Sequence, residues 1–131
     1  MILDTNAVSD FFREPPPPSL IRILEEADVH HLPVIVLGEF RYGVRFSRSR
    51  SLLESKLDRL IETNTVLHLD EDTSRFYADV RTDLKKRGLP IPENDLWISA
   101  LCLQHNLALV TRDTHFLQIH DLNVKTWQRP P

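Results

Sequence analysis

Cysteine, glycine and long apolar runs are all scarce in this chain of 131 residues. The single cysteine, Cys102, excludes an internal disulfide framework and a zinc site built from several thiolates. No apolar run approaches the roughly 20 residues of a membrane-spanning helix. No charged leader followed by an apolar segment opens the chain. We therefore expect a cytoplasmic protein with no membrane partner.

Several sequence motifs of well-known enzyme classes are also missing. The chain contains no G-x-G-x-x-G fingerprint, no Walker A motif and no G-x-S-x-G elbow. Dinucleotide binding, nucleoside triphosphate hydrolysis and acyl transfer therefore have no support in the sequence.

Length and charge are those of an ordinary globular protein. The chain fits one domain spanning residues 1–131. Its formal net charge of −3 does not indicate a non-specific nucleic-acid binder. Basic residues are nevertheless concentrated in one place, because four arginines fall within ten residues: Arg41, Arg45, Arg48 and Arg50. This run could grip a phosphate backbone, and solvation of a helix surface explains it equally well.

Short apolar stretches alternate with helical patterns along the whole chain. Five strands are predicted, at residues 1–4, 31–36, 66–69, 107–111 and 122–127. The helix predicted to start near Asp95 is apolar nearly all round, so it should be central and buried. Strands that alternate with helices indicate an α/β fold with a parallel sheet covered on both faces.

Four acidic residues are predicted to lie where a strand gives way to a helix: Asp4, Glu39, Asp95 and Asp113. The carboxyl ends of parallel strands converge on one crevice, where ligands bind. Carboxylates gathered there repel one another unless a cation holds them. Any one of the four alone would be interpreted as a helix cap or a surface residue. Together they predict a metal-dependent enzyme acting on phosphate esters.

The other acidic residues near helix ends are interpreted as caps and solvated turns. This group consists of Asp10, Asp70, Glu71, Asp72 and Asp121.

Short neutral polar side chains accompany the four acids and could orient their carboxylates: Thr5, Asn6 and Thr111. Oxygen ligands without cysteine or an obvious histidine partner favour Mg²⁺ or Mn²⁺ over zinc, as one ion or two. Such ions polarise a phosphodiester and activate water, so no side chain has to act as the nucleophile. His115, close to Asp113, is a candidate to contact substrate.

Four segments in this order and spacing resemble the PIN-domain ribonucleases, and specifically the VapC-type toxins of toxin–antitoxin pairs. They are ILDTN at 2–6, LGEFRYG at 37–43, IPENDLWISA at 91–100 and LVTRD at 109–113. The tail, with Phe116, residues 122–124 and Trp127, matches as well. The resemblance covers nearly the whole chain.

This resemblance implies a three-layer α/β/α fold with a central twisted parallel sheet. It implies a Mg²⁺ or Mn²⁺ site carried over onto Asp4, Glu39, Asp95 and Asp113, and cleavage of RNA, usually a structured RNA such as tRNA. It also implies a VapB-like antitoxin that inserts a basic segment into the acidic groove, and commonly a toxin homodimer. From the arginine run, Arg41, Arg45 and Arg48 are the candidates for RNA contacts, together with His115.

The sequence departs from the family pattern at two places, and two other functions stay open. Residues 34–36 are Val-Ile-Val where many relatives carry Ser or Thr, and Asn94 stands where a small or acidic residue is common. One alternative is an RNA- or protein-binding module with little catalytic activity. The other is a phosphatase with Asp4 as nucleophile, although that class requires a second Asp where this chain has Asn6.

Overall fold

A five-stranded, entirely parallel sheet forms the centre of the protein. The computed structural model describes residues 1–129. The strands are β1 Ile2–Leu3, β2 His31–Pro33, β3 Thr65–Leu67, β4 Leu109–Val110 and β5 Val124–Lys125. Their spatial order is β3-β2-β1-β4-β5. The predicted α/β class with a parallel sheet is thereby confirmed.

Within the described residues, six helices surround this sheet in the three-layer arrangement. They are α1 Thr5–Phe11, α2 Pro18–Leu24, α3 Val34–Val44, α4 Arg50–Thr63, α5 Glu71–Lys86 and α6 Glu93–His105. A short 3-10 helix, Thr114–Gln118, follows β4. Helix α6 is the central buried helix that its apolar sequence predicts, since Ile98, Leu101 and Cys102 are almost completely inaccessible to solvent.

The strand order reverses beside β1. Ile2 of β1 lies opposite His31 of β2 on one side and opposite Leu109 of β4 on the other. The chain therefore leaves β1 toward one edge of the sheet and returns through β4 to build the other. Such a reversal opens a crevice at the carboxyl ends of the two central strands, and ligands of α/β proteins bind there.

The second strand is shorter than predicted. It pairs with β3 only as far as Pro33, opposite Leu67, and Val34 already begins α3. Proline has no N–H to donate to a sheet, and residue 33 instead precedes the first helical turn. The β-branched run of residues 34–36 therefore belongs to the helix. Glu39 lies in the second turn of α3 rather than at its start.

Asp95 also differs from its predicted surroundings, because α5 and not a strand precedes α6. Asp70, one of the expected caps, caps α5: its side chain accepts a hydrogen bond from the backbone N–H of Thr73 at 3.0 Å.

The predicted domain runs to residue 131, and its last two residues lie outside the described part. Among residues 1–129, no helix combines the length and apolar character needed to cross a membrane.

Candidate active site

An open cavity at the carboxyl ends of β1 and β4 contains all four predicted acids. Its lining residues are Asp4, Thr5, Asn6, Ser9, Glu39, Asp95, Arg112, Asp113 and Arg129. Four different elements supply the carboxylates, namely the ends of the two central strands and helices α3 and α6. The folding of the chain thus gathers acids that are up to 109 residues apart in sequence.

Asp4 is the most firmly held of these acids. It caps α1, and its Oδ1 accepts a hydrogen bond from the backbone N–H of Thr5 at 2.8 Å. Its Oδ2 accepts one from the Thr111 hydroxyl at 2.7 Å and a longer one, 3.2 Å, from the Asn6 amide. Only 5% of Asp4 is exposed. Both oxygens are therefore fixed in position by neighbouring donors.

Thr111 and Asn6 join the ends of the two central strands. The Thr111 hydroxyl accepts from the Asn6 amide at 3.3 Å and from the backbone N–H of Asp113 at 3.0 Å. The Asn6 carbonyl oxygen in turn accepts from the backbone N–H of Arg112 at 3.0 Å. This network fixes the loop after β4 against the first turn of α1, and it sets the position of Asp113 relative to Asp4.

Glu39 approaches the same cavity from α3. Its Oε1 accepts a hydrogen bond from the Thr5 hydroxyl at 3.1 Å. Thr5 thus contacts two of the acids, Asp4 through its backbone and Glu39 through its side chain. Residues 34–36 carry no hydroxyl, but Thr5 supplies one to Glu39.

His115 lies between Asp95 and Asp113. Its Nδ1 is 3.3 Å from Asp95 Oδ2 and 3.0 Å from Asp113 Oδ1. One ligand atom from each of these three residues lies within 4.8 Å of the other two. The sequence suggested a substrate contact for His115 and a ligand set of oxygens alone. The structure places an imidazole nitrogen directly beside that set.

Burial raises the pKa of three of the four acids. Removal from water is the largest cause at Asp4, Glu39 and Asp95. The charge of Asp4 adds to it at both Glu39 and Asp95, and the pKa of Asp95 rises to about 6. Hydrogen bonds from Thr111 and Thr5 oppose the rise at Asp4. The cavity therefore disfavours full ionisation of its carboxylates unless a cation offsets their charge.

Asp10 is a buried ion-pair centre, and its interpretation as a cap or solvated turn is wrong. Only 1% of it is exposed. Its Oδ2 accepts a hydrogen bond from the Trp127 indole at 3.0 Å, and its Oδ1 accepts one from Arg129 at 2.8 Å. Arg112 Nε lies 3.1 Å from Oδ2. The partners are more than 100 residues away in sequence, so no local pattern could have indicated them.

The arginine run, which extends from the end of α3 to the start of α4, lies outside this cavity. Arg41 pairs with Asp58 at 3.5 Å and Arg50 with Glu54 at 3.3 Å, while Arg45 and Arg48 are exposed. No member of the run belongs to the cavity lining among the described residues. The interleaved rings of Tyr42 and Phe46 are exposed and pack edge to face, with centroids 6.4 Å apart. Whether this surface contacts substrate stays a prediction.

Comparison with solved structures finds close matches of the whole fold. The VapBC2 complex of Rickettsia felis bound to a DNA fragment from its promoter contains a chain with a TM-score of 0.86 and 29% identity, covering 97% of this chain and 98% of that one. The FitAcB structure of Neisseria gonorrhoeae has a TM-score of 0.82 and 28% identity, covering 94% of each chain.

Sequence comparison points in the same direction. The PIN-domain family model matches residues 1–122. Toxin FitB of Neisseria gonorrhoeae is 30% identical over 122 residues, which are 87% of this chain and 88% of that protein. Ribonuclease VapC2 of Rickettsia felis is 29% identical over 110 residues, 83% and 82% of the two chains. This chain therefore belongs to the PIN-domain family and, within it, to the VapC-type proteins.

Proposed function

We propose that this protein is a VapC-type toxin, an endoribonuclease that hydrolyses RNA phosphodiester bonds with the help of a divalent cation. The observation that carries this proposal is the convergence of Asp4, Glu39, Asp95 and Asp113 on one cavity at the reversal of strand order. The names of its relatives support it, since several are ribonucleases and one is a toxin.

The residues present fit a divalent cation. Carboxylate oxygens are the donors that Mg²⁺ and Mn²⁺ prefer, and a cation would offset the burial that raises the pKa of Asp4, Glu39 and Asp95. Asp4, Glu39, Asp95 and Asp113 would hold one or two ions, and the imidazole of His115 is a further donor nearby. A bound cation supplies polarisation of the phosphoryl oxygens, a lowered pKa for water, and stabilisation of the leaving oxyanion.

The protein's own contribution is to hold the carboxylates in position. Thr111 and Asn6 donate to Asp4 Oδ2, so its oxygens cannot rotate away from the cavity. The Thr5 hydroxyl does the same for Glu39. Such polar supports determine ligand orientation, and their loss typically costs about 10- to 100-fold in metal affinity or activity. With the bond from the Thr5 backbone N–H to Oδ1, both oxygens of Asp4 accept hydrogen bonds, which speaks against its use as a covalent nucleophile.

A structured RNA such as tRNA is the substrate we propose, with cleavage at an unpaired segment. The cavity is open, and the end of α3 and the loop after it carry the exposed residues Arg45, Arg48, Tyr42 and Phe46. Cations that follow a backbone and rings that stack on bases are the usual means of binding single strands.

We also propose a VapB-like antitoxin as partner, and a homodimer as the toxin's own assembly. The similar solved structures include VapBC and FitAB complexes with DNA. A cavity with four carboxylates fits a basic segment, because an arginine fork pairs well with carboxylates. Such a segment would occupy the position where RNA and cation act, which would explain inhibition.

Expression in a bacterial host tests the proposed activity in cells. The wild-type chain should arrest growth and produce discrete new RNA ends, which sequencing of those ends would locate. Asp95→Asn, expressed to the same level, should do neither. Normal growth and unchanged RNA ends with abundant wild-type protein would contradict the proposal and favour a binding module instead.

Metal should stabilise the fold, and more so at neutral pH than at pH 5. Asp95 has a folded-state pKa of about 6 against an ordinary value of 3.8. Because the folded pKa is raised, the stability this carboxyl provides is complete below pH 4 and is lost as the pH rises through 6. The loss amounts to at most about 3 kcal/mol. A cation that binds the ionised form reverses it.

Urea unfolding of wild type and Asp95→Asn, in EDTA and in Mg²⁺, measures this effect. In EDTA, the free energy of unfolding of the variant relative to wild type should increase as the pH rises from 5 to 7. Mg²⁺ should strongly stabilise wild type only. Equal responses of both proteins to pH and to Mg²⁺ would show that Asp95 is not coupled to a metal site.

A further inference from the structure

The wall of the acidic cavity carries two arginines that the proposed metal site does not use. Arg112 and Arg129 line the cavity together with the four carboxylates. Both form ion pairs with the buried carboxylate of Asp10. We propose that Arg112 and Arg129 bind the phosphate groups of the RNA strand beside the scissile bond. This inference rests on the proposed nuclease function and adds two substrate-binding residues to the four carboxylates.

The first argument is a count of charge. Asp10 carries one negative charge and faces two guanidinium groups, whose charges are both positive. Although burial raises the pKa of Asp10, the bonds from Arg129 and Trp127 and the charge of Arg112 outweigh it and keep the pKa low. The cluster therefore has a net charge of +1. This positive charge lies at a cavity whose other charged lining residues are all carboxylates, which would repel a polyanion.

The second argument is the fixed orientation of Arg112. Its guanidinium carbon lies 5.6 Å from the centre of the Trp127 ring, and the indole N–H donates to Asp10 at 3.0 Å. The Nε of Arg112 is buried and lies 3.1 Å from Asp10 Oδ2, whereas within residues 1–129 neither of the arginine's Nη groups donates a hydrogen bond to a protein acceptor. Its side chain retains 29% exposure. A positioned guanidinium with unused donors is suited to phosphate oxygens, which it can engage through two parallel bonds.

Arg129, in the segment after β5, complements Arg112. It donates to both oxygens of Asp10, at 2.8 and 3.2 Å, and 47% of its side chain is exposed. A guanidinium has five N–H donors, so donors remain for a ligand after these bonds. Residues from the loop after β4 and from the segment after β5 thus present two cations on the same wall.

Binding of a fluorescein-labelled, single-stranded RNA 20-mer of mixed sequence provides the test, with Ca²⁺ in place of Mg²⁺ to limit cleavage. Each phosphate contact on a single strand contributes about 0.7 to the slope of log affinity against log salt. Arg129→Gln should lower that slope by about 0.7 and weaken binding about 10-fold. Arg129→Lys should restore the slope because the charge returns. Arg75→Gln, an exposed arginine of α5, is the matched control and should change neither quantity.

Arg129→Gln should remain folded, since Asp10 keeps its hydrogen bond from Trp127 and its ion pair with Arg112; thermal unfolding checks this. Arg112→Gln and Arg112→Lys form a second pair of variants, for which the same results are expected. A folded Arg129→Gln protein with unchanged RNA affinity and salt slope would overturn the inference, even if wild type cleaves RNA normally. The inference would also be overturned if Arg129→Gln lowered the salt slope of binding and Arg129→Lys did not restore it. If wild type neither binds nor cleaves RNA, the proposed function itself fails, which is a distinct result.

Discussion

Asp4→Asn should reduce RNA cleavage by at least about 1,000-fold while the protein stays folded. Stabilisation of developing charge by a bound cation is worth several kcal/mol, and each 1.36 kcal/mol corresponds to about a factor of ten in rate. Asp4 carries the carboxylate that accepts three hydrogen bonds at the centre of the cavity. An asparagine fills the same space and still accepts from Thr5, but it is a neutral and poor ligand for Mg²⁺.

Single-turnover cleavage of a mapped RNA substrate measures this effect, with thermal unfolding alongside. Asp79→Asn on α5 is the matched control, because it makes the same chemical change at an exposed position. Without metal, Asp4→Asn should be at least as stable as wild type, since it removes a buried carboxyl with a raised pKa. Cleavage within tenfold of wild type by a folded Asp4→Asn protein would remove Asp4 from the mechanism.

Asp10→Ala should destabilise the protein by about 3 kcal/mol. The substitution leaves the buried Trp127 indole without an acceptor and two arginines without their counter-charge. Breaking a buried ion pair costs about 3–5 kcal/mol. We expect the lower end of that range because both guanidiniums can turn toward water.

Urea unfolding at several pH values provides a second check on the role of Asp10. Its folded-state pKa is lowered, so its contribution is present above pH 4 and is lost as the pH falls further. The difference between wild type and Asp10→Ala should therefore shrink in acid. A difference below about 1 kcal/mol at pH 7 would be typical of an exposed pair and would contradict a stabilising role for the buried Asp10 carboxylate.

The positions of Asp4 and Asp113 were predictable from sequence because Asp4 directly follows β1 and Asp113 comes three residues after the end of β4. Strand β1 and strand β4 are apolar runs that end in polar residues, and the local pattern identifies both the strand and its end. Parallel pairing then requires these ends to meet, so the shared cavity follows from the fold class alone. The predicted sheet and the central burial of α6 rest on similarly strong periodic signals.

Other features depend on contacts that no local pattern encodes. Residues 34–36 are β-branched and predict a strand, yet they open α3 because the chain leaves the sheet at Pro33. Glu39 consequently reaches the cavity from within a helix. His115 lies between two carboxylates only because α6 and the 3-10 helix pack together. Asp10 resembles a helix-end residue until the tail folds back to bring Trp127 and Arg129 against it.

Restoring metal to stripped protein is the measurement that tests the central claim most directly. Purified protein, separated from any antitoxin and treated with EDTA, would be mixed with total bacterial RNA before Mg²⁺ or Mn²⁺ is added in excess. We predict intact RNA before the addition and discrete fragments after it, and no fragments at any stage with Asp4→Asn. Cleavage that persists in EDTA, or that Asp4→Asn performs equally well, would contradict a metal-dependent nuclease built on these four carboxylates.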